Sequence, residues 1–165
     1  MSLIRRSVFV LPCMILFCSV IADGRHSFAE YINPEFRYRI EFPADLLEMQ
    51  ENSVSLAGAS FWTKDRKLQT DVNARYARPG ESLEKLFNSQ VDLHKGEVTS
   101  KSLSEGSFIV EGIKVKTLKL FIKTSYWEAD GKRIFCTFSA TYPLSDKEKF
   151  EKVVVQMAAT LGQYR

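Results

Sequence analysis

The sequence predicts an α+β fold, a central antiparallel sheet sandwiched by helices. Period-two apolar alternation recurs along the chain and marks half-buried strands. These strands are joined by hairpin signals rather than by regular strand–helix alternation, which makes their pairing antiparallel. The C-terminal segment carries a wide apolar stripe at helical spacing, so it must lie against something.

Ahead of the fold, residues 1–22 read as an export signal. Arg5 and Arg6 precede an apolar run over residues 8–22, and Asp23-Gly24-Arg25 follows. A short basic segment feeding such a run is the pattern of a secretory signal peptide, with Val20 and Ala22 as the small residues ahead of the cut. Other readings stay open. The run falls short of the about 20 apolar residues of a membrane span, and Pro12 interrupts it. Cys13 and Cys18 follow Pro12 and Phe17 instead of the small residue a lipid-bearing cysteine needs. The Arg5-Arg6 pair keeps twin-arginine export beside the general secretory route. The expectation is a signal peptide over residues 1–22 and one domain over residues 23–165. The protein would be periplasmic or secreted, with no permanent membrane span once the signal is cut; retention of the signal as an anchor remains the alternative.

Charge and cysteine usage agree with export. The net charge of +3 belongs partly to the signal. Every acid lies after Ala22, so loss of Arg5 and Arg6 brings the remainder close to neutrality. Nucleic-acid binding wants a clustered basic face, and none is visible. Lys101, Lys114, Lys116, Lys119 and Lys123 read as keeping a sheet face or edge soluble. Of the three cysteines, Cys13 and Cys18 leave with the signal. Cys136 remains on the apolar side of a strand, as a buried, inert thiol.

After a polar lead over residues 23–34, Phe36, Tyr38, Ile40 and Phe42 alternate with Arg37, Arg39 and Glu41, and Pro43 ends this strand. Residues 53–77 read as strand, polar turn and strand, with Val72, Ala74 and Tyr76 on one side of the second. Pro79-Gly80 punctuates. A helix follows, capped by Ser82, with Leu83, Leu86, Phe87 and Val91 on one face and Gly96 at its end. A polar run over residues 97–107 leads to Phe108-Ile109-Val110, and Glu111-Gly112 reads as a turn. A long strand over residues 114–128 puts Leu118, Leu120, Ile122 and Tyr126 on one side. Asp130-Gly131 marks a tight hairpin, and its partner strand runs over residues 132–142. Ser145 and Glu148 form a capping-box pattern. Beyond them Phe150, Val153, Val154, Met157, Ala158 and Leu161 make the stripe of the final helix, which Gly162 stops.

Three stretches resemble the PsbP-like superfamily. They are Asn33-Pro34-Glu35-Phe36-Arg37-Tyr38-Arg39-Ile40-Glu41-Phe42-Pro43; Gly58-Ala59-Ser60-Phe61-Trp62 with Asp65; and residues 135–143 followed by the helix from Ser145. That superfamily includes the extrinsic PsbP protein of photosystem II, bacterial DcrB-type lipoproteins and a Ran-binding nuclear import factor. The likeness covers most of residues 31–162 and rests on packing and turn patterns. It implies an antiparallel sheet sandwiched by helices and carries no catalytic residues to this chain. Metal sites of photosystem members use histidines and carboxylates. His26 and His94 lie in different segments, so no metal site is carried over.

The chemistry visible in the sequence is sparse. One cysteine and two separate histidines do not make a zinc site, and no metal or other cofactor is expected. No serine sits in a nucleophile elbow. Asp45 with Glu48, and Glu81 with Glu84, read as acids complementing helix N-termini. His94, at the end of the first helix, reads as a capping residue and a weak binding candidate. Trp62 and Trp127 border turns off the regular apolar faces; they are candidate contacts for a ligand or partner, unless they pack beneath a helix. The function expected is an exported, non-catalytic binding or accessory protein of the cell envelope, docking an envelope protein or a small amphipathic ligand. An exported hydrolase-like enzyme, its site assembled from scattered acids, tyrosines and His94, is the alternative.

Overall fold

A computed structural model of the protein describes residues 26–51 and 57–164; the expected signal peptide lies outside them. In chain order the strands are β1 (Phe28–Asn33), β2 (Tyr38–Pro43), β3 (Leu47–Glu51), β4 (Gly58–Thr63) and β5 (Gln69–Tyr76). Helix α1 (Leu83–Leu93) precedes β6 (Val98–Leu103), β7 (Ser107–Lys114), β8 (Leu118–Ala129) and β9 (Lys132–Pro143). A 3₁₀ turn (Leu144–Asp146) leads into α2 (Lys147–Thr160), and β10 (Gly162–Gln163) closes the chain. A seven-stranded antiparallel sheet runs β3-β4-β5-β9-β8-β7-β6, and a three-stranded sheet runs β1-β2-β10. The predicted α+β class and antiparallel sheet are observed.

The main core lies between the two sheets. On β9, Ile134, Cys136, Phe138, Ala140 and Tyr142 share one face and are all buried. Val72 and Ala74 stand opposite Phe138 and Cys136. The α2 stripe of Phe150, Val153, Val154, Met157 and Leu161 joins this core, as do Tyr38, Ile40 and Phe42 from the small sheet. Cys136 is fully buried, and desolvation pushes its thiol pKa well above the ordinary range. On the opposite face α1 covers only part of the sheet: Leu83, Leu86, Phe87 and Val91 pack on Phe108, Val110, Leu120 and Ile122. The layers are thus offset, with α2 and the small sheet on one face and α1 on one half of the other.

Several local expectations hold. Ser82 caps α1, its hydroxyl accepting from the Lys85 N–H at 3.2 Å. Asp130 (φ 51°) and Gly131 (φ 70°) form the tight β8–β9 turn. Gly58 is required by close approach, because a Cβ there would lie 1.9 Å from the Val72 carbonyl oxygen.

Other expectations are corrected. The β7–β8 turn is at Val115 (φ 52°) and Lys116 (φ 63°). At Glu111-Gly112 the strand continues, and a Cβ on Gly112 would meet the Glu97 carbonyl oxygen at 2.7 Å beside a register shift. Ser145 does not cap α2: it sits inside the 3₁₀ turn, and the N-cap position falls on Asp146 without a side-chain cap bond. Asp45 and Glu48 flank the start of strand β3 rather than a helix. Lys119 is buried and ion-paired with Glu111, and Lys123 is half-buried with Nζ donating to the Ala158 carbonyl at 2.6 Å. Burial lowers the Lys123 pKa. Those two lysines serve the interior and the C-terminal end of α2, where a cation complements the helix dipole. The polar lead contains β1, and the polar run after α1 contains β6.

Candidate functional site

The half of the sheet that α1 leaves uncovered is the most prominent open surface near a sequence candidate. Register builds it residue by residue. Glu48, Trp62, Gln69 and Thr141 stand side by side across β3, β4, β5 and β9. The next row inward is Gln50, Ser60, Asp71 and Ser139. Period-two alternation sends these side chains away from the core, while Leu47, Phe61, Thr70 and Ala140 point into it. Glu48, Gln50, Gln69, Asp71 and Asn73 are exposed, and Trp62 is half-buried.

Trp62 is held rather than loose. Its indole N–H donates to Glu48 Oε2 at 3.1 Å, and the Arg66 guanidinium lies 4.0 Å from the ring centroid. In the second row the Ser60 hydroxyl donates to Asp71 Oδ1 at 2.5 Å. Toward the far end Arg75 makes a two-point ion pair with Glu81, at 2.8 and 2.6 Å, and lies 5.4 Å from the Phe135 ring. The Arg75 partnership, with a further bond from the Arg78 N–H, holds the Glu81 carboxyl down at about 2. That clamp ties the β5–α1 connection to the sheet. The resulting face is polar and carboxylate-bearing, with one indole fixed in place; it suits contact with a partner surface.

The other two candidates lie elsewhere. Trp127 faces the core: it stands opposite Ile134, is 9% exposed, and its indole N–H donates to the Phe36 carbonyl at 3.3 Å. Its place beneath the β1–β2 connection leaves it no outward contact to make. His94 is the C-cap residue of α1, with its backbone N–H on the Gln90 carbonyl and Nδ1 at 3.3 Å from Glu97. That is a capping role. The structure does not bring Trp62, Trp127 and His94 together.

Titratable groups with displaced pKa values do not gather around His94. Tyr31 and Tyr38 are raised by burial in the main core, and Tyr142 is pushed up to about 12 for the same reason. Asp65 is lowered first by the Thr63 hydroxyl, in the β4–β5 turn. The second histidine, His26, pairs with Asp45 at 2.8 Å where the chain enters the fold. Among the described residues, no three His, Cys, Asp or Glu side chains gather as a metal site would need. No helix among them is long and apolar enough to cross a membrane.

The backbone matches cyanobacterial PsbP (CyanoP) from Synechocystis sp. PCC 6803 with a TM-score of 0.58, over 88% of this chain and 98% of that one, at 13% identity. The fold is PsbP-like. The Ran-binding protein Mog1p of Saccharomyces cerevisiae is similar with a TM-score of 0.52, over 84% of this chain and 96% of that one, at 9% identity. No protein-family model and no curated protein matches the sequence. At such identities the likeness carries the PsbP-like fold and nothing of its members' activities. The open face around Trp62 was missed in sequence because it needs strand register. The signal was the polar alternation Gln69, Asp71, Asn73 on β5, which marks an outward face without a covering helix.

Proposed function

We propose that the chain is an exported, non-catalytic accessory protein of the cell envelope that docks a partner protein on the open sheet face around Trp62. One observation carries this reading: the β3-β4-β5-β9 face is exposed, polar and bare of helix, yet holds an indole fixed by Glu48 and Arg66. An indole with a wet rim is a common anchor in protein contacts. The description of Mog1p as Ran-binding supports it, since it shows a protein of this fold engaging another protein. The signal-like residues 1–22 support export, either to the periplasm or to the medium. A small amphipathic ligand is the other occupant considered for this face.

The test is site-directed photocrosslinking in the native host. A crosslinker at Gln69 or Asn73 is expected to give a discrete adduct with one envelope protein, identified by mass spectrometry and lost in Trp62→Ala. The same crosslinker at Glu148, on α2, is the control. If neither face position yields an adduct dependent on Trp62, and no ligand shifts the thermal transition, the accessory reading fails.

A further inference from the structure

We propose that the end of the sheet carrying the Val115–Lys116 turn is a membrane-contact tip, which seats Val115 in the interface of an anionic lipid bilayer. Val115 is 71% exposed at the tip of the β7–β8 hairpin, with φ 52°. A β-branched residue in the left-handed region is a steric outlier. The neighbouring β8–β9 hairpin solves the same geometry with Asp130-Gly131. An apolar, strained residue where the fold elsewhere uses Asp-Gly marks a position kept for contact rather than for turning.

The surroundings name the contact. Lys114 and Lys116 flank Val115, and Lys95 lies on the adjoining α1–β6 connection. That connection is joined to β7 by the Ile113 N–H donating to the Glu97 carbonyl at 2.8 Å. Among the described residues no acid pairs with these three lysines. Two more apolar side chains emerge at the same end. Leu144 is 36% exposed and bonded through its N–H to the Thr117 carbonyl at 2.8 Å, and Leu93, 73% exposed, ends α1. Exposed Val115 and Leu93 with Lys114, Lys116 and Lys95 beside them match an anionic bilayer, where alkyl groups enter the acyl boundary and ammonium groups meet the headgroups.

The chain also enters the fold at this end. The Ala44 N–H donates to the Ser27 carbonyl and His26 pairs with Asp45, in the short connection that starts β3. The Thr63 end of β4, opposite the start of β3, lies on the same side of the sheet as the β7–β8 turn. His26 and Ser27 therefore lie on the side of the fold that Val115 occupies. The proposed partner face around Trp62 is the outward face of β3, β4 and β5, whereas Val115 is at the β7–β8 turn.

The experiment is co-sedimentation of the protein, as its host processes it, with vesicles of phosphatidylglycerol and phosphatidylcholine in equal parts, and with phosphatidylcholine alone. Wild type is expected to bind the anionic vesicles at least tenfold better. Val115→Asn places a residue at ease in the left-handed region, so thermal stability should hold or rise while vesicle binding falls several-fold. Lys114→Gln with Lys116→Gln should remove the preference for anionic lipid. Vesicle binding unchanged by Val115→Asn, or absent in wild type, overturns the proposal. Concentration-dependent dimerisation of wild type, without vesicle binding and abolished by Val115→Asn, would assign the tip to a second copy and also overturn it. Neither result bears on crosslinking from Gln69, so the two readings fail separately.

Discussion

Phe150→Ala tests the packing of α2 most directly. Phe150 is fully buried, and its ring meets Tyr142 edge-on with centroids 6.0 Å apart. Removing a buried Phe side chain costs about 3–5 kcal/mol, through lost transfer free energy and the cavity left behind. The edge-to-face pair is part of that loss, at about 0.5–1.5 kcal/mol. The Lys149 ammonium, 4.8 Å from the same ring, adds little at an exposed site. Cys136, the one cysteine among the described residues, is free, so no disulfide there offsets the loss. Against a usual stability of about 5–15 kcal/mol, a loss of about 4 kcal/mol is a large fraction. Urea unfolding followed by tryptophan fluorescence should give a lower midpoint with unchanged slope, and the thermal midpoint should fall by about 15 °C. Phe150→Leu should recover more than half of the loss. A cost below about 1 kcal/mol for the alanine variant would mean that the first turns of α2 are not seated on Tyr142 and β9, and the packing argument would be wrong.

Three further outcomes follow from the geometry. Gly58→Ala should destabilise by more than about 3 kcal/mol, because its Cβ would lie 1.9 Å from a backbone oxygen, whereas Gly106→Ala, with nothing within 4 Å, should stay within about 0.5 kcal/mol in the same urea assay. Ser82→Ala should cost about 1 kcal/mol as a lost cap, and Ser145→Ala close to nothing, a contrast readable from paired thermal melts. The Glu81 pKa is depressed from 4.5 to about 2 in the fold. Its stabilisation is therefore present above pH 4.5 and lost as pH falls toward 2. Glu81→Gln should flatten that acid limb of the stability profile and cost about 0.5–1 kcal/mol at neutral pH, the exposed Arg75 side of the pair being screened by solvent. An acid limb as steep as that of wild type would refute the clamp.

What the sequence disclosed, and what it concealed, follows from how local each signal is. The α2 stripe and the Asp130-Gly131 hairpin are written within a dozen residues, and both were read correctly. Strand β6 was lost because Val98–Leu103 is an exposed edge strand with no buried face to impose alternation. Strand β1 was lost because its inward positions are Ala29, Tyr31 and Asn33, a small, an amphipathic and a polar residue. The β7–β8 turn was misplaced because Gly112 advertised a turn it does not make, while Val115 and Lys116 make one with residues that advertise none. The two tryptophans separate only through register. Trp62 lies in the row of Glu48 and Gln69, and Trp127 opposite core Ile134. The consecutive apolar Leu120, Phe121 and Ile122 already hinted that β8 is covered on both faces.

Cys136 gives the fold a built-in clock. Its sulfur lies in the middle strand of the seven, sealed between that sheet and the layer made of α2 and the small sheet, so a thiol reagent reaches it only when the layers part. In a chain produced without residues 1–22, and so without Cys13 and Cys18, a single alkylation rate would therefore report how often the sandwich opens, with no label added and no tryptophan disturbed. Partners or lipids that brace the fold would then be detected as a slowing of that rate.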